Sequence, residues 1–178
     1  DISQTDLAKA ASDFEDNIVP AIHKYVNPTW NPGAGIDSRI SILNAPIPGV
    51  GGYVNSLDLF PKSVHINSNE RPMVYMSLLS VRPGTRSYAS VLAHEMQHAA
   101  HSQADPFEVG WVQEGASELL AELAGYPVYL YRAFIDRPDT HLTTWGNNHL
   151  SPAHYGAAHL FLRYLGAKYG FDQFYKLT

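Results

Sequence analysis

His94, Glu95 and His98 spell HEMQH inside a Pro-free stretch, Tyr88 to Gln103, whose apolar residues recur at helical spacing. Residues four apart on a helix lie about 6 Å apart along its axis and about 40° apart around it. Both imidazoles therefore leave one face and can share a metal ion. Glu95 is turned by about 100° from His94, so its carboxylate can reach water beside the metal without ligating it. Two neutral imidazoles favour zinc over calcium or magnesium. The chemistry expected of such a set is metal-assisted hydrolysis with Glu95 as the base.

A zinc site that does chemistry needs a third protein ligand and one open position. Glu114, in WVQEGASE, is the candidate ligand on a second helix. Glu118 lies one turn further along the same face, where it can hydrogen-bond the free ring nitrogen of a ligating His and fix its tautomer. Fifteen residues separate His98 from Glu114, and Asp105-Pro106 among them can turn the chain so that the second helix returns against the first. Gly115 is expected to leave space where those two backbones approach. His101 is about 10 Å from His94 along the axis, too far to share the ion, and reads as a surface or supporting residue. The metzincin pattern asks for Gly and His at the positions of His101 and Ala104, so that class is disfavoured.

The elements that must carry these residues can be traced along the chain. Ala8, Ala11, Phe14, Ile18 and Ile22 predict an amphipathic helix over Asp6 to Tyr25, bent where Pro20 interrupts it. Asn27 to Gly35, with two Pro and two Gly, predicts a loop. Ser38 to Leu43 alternates polar with apolar like a half-buried strand, and Tyr53 to Phe60 and Val74 to Val81 are two further strand candidates. Beyond Pro83 and Gly84 the pattern is helical over Tyr88 to Gln103, Val109 to Ala124 and Ala153 to Tyr169. Strands first and helices afterwards predict an α+β domain: a small N-terminal mixed or antiparallel sheet, then a helical half that carries the metal site. The connection from Tyr126 to Pro152 has no clear periodicity.

Composition narrows the function further. At 178 residues the chain is expected to be a single domain, 1–178, with a full hydrophobic core. The charge of −5 and the scattered basic residues argue against a nucleic-acid partner. No apolar run approaches the roughly 20 residues of a membrane span. The absence of Cys removes thiol catalysis, disulfides and thiolate metal sites, so any metal must sit on His, Asp or Glu. Asp1 is preceded by neither Met nor a signal-like pattern, which suggests a product trimmed from a longer precursor. Low charge and many Tyr, Ser, Thr, Asn and Pro suit a secreted or cell-envelope protein.

HEMQH followed by the WVQEGASE helix resembles the gluzincin clan of zinc metallopeptidases, which includes thermolysin and the zinc aminopeptidases. The succession SRISIL, GVGGY, HINSNERPMVYM, AHEMQH and WVQEGASELLAEL most resembles bacterial hyicolysin-like neutral metallopeptidases, from about Phe14 to the C-terminus. The resemblance implies a thermolysin-like catalytic domain with one zinc per chain on His94, His98 and Glu114, Glu95 activating water, and a peptide or protein as substrate. It also implies an oxyanion donor in SPAHYGAAHLFLRYLGAKYG, where Tyr155 matches the Tyr of one branch and His154 is the reserve, since the thermolysin branch uses His. By the same analogy a substrate backbone would add as a strand beside Val74 to Ser80. An endopeptidase is expected over an aminopeptidase, because nothing like the usual amine-anchoring GAMEN strand occurs at Tyr75 to Val81. A catalytically silent zinc domain is a further alternative, though it would have little use for Glu95.

Overall fold

The computed structural model describes residues 1–32, 39–145 and 151–171. Ser3 and Asp6 close a capping box at the start of helix α1 (Gln4–Asp13), which passes through a π turn (Phe14–Ile18) into α2 (Val19–Tyr25). Pro20 therefore does not break the helix. Proline has no N–H to donate and its ring crowds the carbonyl four residues back. The turn before it is widened instead, with Val19 N–H reaching Phe14 O. Ile18 and Ile22 are thereby both fully buried.

Three strands, β1 (Ser41–Ala45), β2 (Gly52–Val54) and β3 (Met73–Ser77), form a mixed sheet in the order β1-β3-β2. β1 runs parallel to β3, with Ser41 opposite Met73, and β2 runs antiparallel to it, with Gly52 opposite Met76. Both sides of β3 are thus paired. The expectation that a substrate could add beside Val74 to Ser80 is overturned on that ground, and among the described residues the outer edge of β2, which packs on the helix carrying HEMQH, has no strand beside it.

Two strands are shorter than the alternation suggests. The Tyr53–Phe60 candidate stops at Val54, because the Asn55 side chain accepts the Leu57 N–H and starts a 3₁₀ turn (Ser56–Leu59). Asp58 then turns inward, where its buried carboxylate accepts hydrogen bonds from Asn69 N, Asn69 Nδ2 and the Tyr75 hydroxyl. The third strand ends at Ser77 rather than Val81, since Ser77 O takes the Val81 N–H in a turn. Of the first candidate, Ser38 lies outside the described residues, and its strand runs on to Ala45.

The helical half follows the periodicity closely. Thr85 caps α3 (Arg86–Ala104), Asp105 Oδ1 accepts the Phe107 N–H in the intervening turn, and α4 (Gly110–Leu123) returns against α3. A short α5 (Tyr131–Ile135), not expected, lies within the aperiodic connection, and α6 (Pro152–Tyr169) completes an α+β fold. Val74 and Met76 of β3 meet Leu92 and Met96 of α3 and Ile18 and Ile22 of the first helix in one core cluster. Gly115 serves a different contact from the one expected. A Cβ there would come 2.9 Å from Ala158 and Leu162, so it admits α6 to α4 rather than α4 to α3. Among the described residues, no helix is long and apolar enough to cross a membrane.

Candidate metal centre

α3 and α4 bring His94, His98 and Glu114 together at the floor of a cleft of about 410 Å³. His94 Nε2 lies 3.2 Å from His98 Nε2 and 3.1 Å from Glu114 Oε2, and His98 Nε2 lies 3.4 Å from the same oxygen. Bonds of about 2.0–2.1 Å at tetrahedral angles require ligand atoms roughly 3.3 Å apart. The three atoms already form such a triangle, so the residues present fit a zinc ion. The other ring nitrogen of His94, Nδ1, faces Glu118 Oε1 at 3.1 Å. A carboxylate acceptor there holds the proton on Nδ1 and turns the Nε2 lone pair into the triangle.

The imidazoles and carboxylates of the cluster favour one another's charged forms. Burial disfavours the charged imidazolium of His94, but hydrogen bonds to Glu114 and Glu118 outweigh it and push the group up to about 10. Burial likewise works against the Glu114 carboxylate, and hydrogen bonds from His94 and His98 still hold it down to about 2. The His94 imidazolium and the Glu114 carboxylate thus stabilise each other despite burial.

Glu95 lines the same cleft but stands outside the triangle. It is 8% exposed, and burial raises its pKa against the lowering influence of His94 and His98. Tyr155, in the first turn of α6, also lines the cleft, its ring 6.3 Å from that of His94. Its hydroxyl is kept protonated by burial first and by the nearby Glu114, Glu95 and Glu118 carboxylates second. Gly156 beside it allows α6 to touch the Leu130–Tyr131 backbone, which a Cβ would overlap. His154 lies 5.5 Å ring to ring from Trp145 and is not among the described residues lining the cleft.

The sequence matches no protein-family model and no curated protein at a significant level.

Other histidines fall away from the centre. His101 is not a surface residue: it is buried, with Nδ1 accepting from Gln97 Nε2 at 2.9 Å. Gln97 Oε1 in turn accepts from Ser117 Oγ at 2.6 Å, and Ser117 Oγ stands 3.4 Å from His98 Nδ1. Ser117 Oγ is equally near His98 Nε2, at 3.3 Å, so it packs against the edge of that ring without selecting one nitrogen as Glu118 does for His94. The sequence signal of Gln97 and Ser117 was their place inside HEMQH and WVQEGASE. His159 is buried against Glu122 at 2.8 Å, His141 sits in an exposed turn, and His149 lies outside the described residues.

Tyr155 and Glu114 also border a second cleft, of about 570 Å³, walled by Val109, Trp111, Thr143 and Trp145. Two clefts therefore share Glu114 and Tyr155 as a common border. The walls of the first cleft include Trp30, Ile40, Leu59 and Met73 with the β2 edge. These residues come from segments too irregular for periodicity to place beside the motif.

Proposed function

We propose that this protein is a zinc-dependent endopeptidase that cleaves peptide bonds by adding water, with Glu95 as the general base. The observation that carries the reading is the tetrahedrally spaced triangle of His94 Nε2, His98 Nε2 and Glu114 Oε2, with the Glu95 carboxylate buried beside it in an open cleft. His94, His98 and Glu114 would hold the ion, and Glu118 would orient His94. The chemistry supplied at that position is polarisation of a carbonyl and acidification of water.

The chain's own groups do the rest. Glu95 accepts a proton from water as its oxygen adds to the carbonyl carbon, and passes that proton to the amine nitrogen as the C–N bond breaks. Its raised pKa suits both halves of this exchange. Tyr155, held protonated, donates a hydrogen bond to the carbonyl oxygen as charge develops on it. The outer edge of β2 offers backbone groups to an extended peptide.

Two features favour internal cleavage over trimming of chain ends. Two clefts meet at Glu114 and Tyr155. Among the described residues that line them, the only Asp, Glu, Lys or Arg side chains are Glu95 and Glu114, both already assigned. Among the described residues there, a terminal amine or carboxylate meets no further charged anchor. The test is to incubate the zinc-loaded protein with an unfolded protein substrate and identify the products by mass spectrometry. Internal cuts that stop on chelation and return with zinc support the reading, and exclusive release of terminal residues contradicts it.

A further inference from the structure

The GVGGY segment is not used by the mechanism above, yet it touches the proposed base. Gly52, on the edge strand, lies over α3, and a Cβ on it would meet Glu95 Cγ at 3.0 Å, Tyr75 O at 3.0 Å and Met76 Sδ at 3.2 Å. A Cβ on Gly51 would press on the Val91 methyls at 3.3 and 3.4 Å. Val91 and Glu95 are four apart on α3 and form one ridge. Neither glycine has the positive φ that would call for glycine on conformational grounds. The requirement at Gly52 is space, since such separations are tighter than nine in ten real Cβ contacts and a neighbour must give by a few tenths of an ångström.

The Glu95 stem is one of the groups that Gly52 faces. Among the described residues no hydrogen bond reaches its carboxylate, although the side chain is nearly buried. Its stem lies beneath β2 at Gly52.

We propose that Gly52 is the positioning residue for Glu95: its missing side chain lets the β2 backbone clamp the Glu95 stem, which aims the carboxylate at the reacting centre. The proposal rests on the reading of Glu95 as the base. It couples the edge that offers itself to a peptide with the group that moves the proton, because one strand sets both.

The test is a double-mutant cycle in thermal unfolding, read on the zinc-loaded protein. Gly52→Ala should lower Tm by roughly 3 °C or more, the scale of overpacking in a chain of this size. In a Glu95→Ala background, where no Cγ remains to be struck, the loss should shrink to half or less. Gly51→Ala, which presses on Val91, should lose the same Tm in both backgrounds. An equal Gly52→Ala loss in the two backgrounds overturns the proposal, since the conflict would then lie with β3 alone. If Gly52→Ala fails to fold, folding of the double variant supports the proposal, and failure of both overturns it.

Activity supplies a second arm. Gly52→Ala should lower kcat by about 10-fold or more at unchanged zinc content, and should change nothing further in a Glu95→Gln background. Additive losses overturn the positioning role. If the wild type cleaves no peptide, the endopeptidase reading falls, and the Tm cycle still decides the fate of Gly52.

Discussion

Glu118 Oε1 faces His94 Nδ1 at 3.1 Å, on the side of the ring opposite the ligand triangle. That contact fixes which nitrogen keeps its proton, and so decides that Nε2 is the one offered to a metal. Glu118→Ala should weaken zinc affinity by about 10- to 100-fold while leaving the stoichiometry at one per chain when zinc is in excess. Competition titration against a chromophoric chelator measures this directly. An unchanged affinity would mean that the carboxylate does no orienting.

Removal of a ligand should act more severely. His98→Ala leaves two of the three triangle atoms, and the purified variant should contain well under one zinc per chain by elemental analysis. Because the ligands join α3 to α4, zinc should also raise the Tm of the wild type but not that of this variant. Full zinc retention in His98→Ala would rule out the assignment.

The metal-free protein should show a distinctive pH dependence. His94 is raised from 6.5 to about 10 in the folded chain, so its contribution is complete below pH 6.5 and is lost as pH climbs towards 10. Glu114 is lowered from 4.5 to about 2, so its contribution is complete above pH 4.5 and is lost as pH falls towards 2. The two describe one interaction seen from its two partners. Thermal melts of the chelated protein should therefore place the greatest support from this site between about pH 4.5 and 6.5. With zinc bound, the decline above pH 6.5 should vanish. A decline of the same size with zinc bound would argue that the metal sits elsewhere.

Tyr155→Phe should lower kcat by roughly 10²-fold with KM and zinc content nearly unchanged, because the hydroxyl acts only as charge develops on the carbonyl oxygen. Phe keeps the ring, and with it the packing near His94 and Trp145. His154→Ala should leave kcat within a few-fold of wild type, since His154 does not line the cleft. The reverse pattern in steady-state kinetics would transfer the oxyanion role to His154.

The helices and the ligand triangle were legible because one period governs both. A helix that buries Leu92 and Met96 on one side must present His94 and His98 together on another, and the same logic carried Glu114 and Glu118. Strand positions were less legible, since they depend on side chains that capture backbone groups. Asn55 ended β2 early in this way, and nothing local marked β3 as the central strand. Gly115 could be read as a site of close approach, but which helix approaches is a property of the assembled fold. The cleft walls from Trp30 and Trp145 are contacts of the same long-range kind.

The most direct test of the central claim compares wild type with Glu95→Gln at matched zinc content, on one internally cleaved peptide. Gln keeps the size and packing of the side chain but cannot take the proton, so zinc should stay at one per chain while kcat/KM falls by about 100-fold or more. Equal zinc with wild-type turnover would contradict the account.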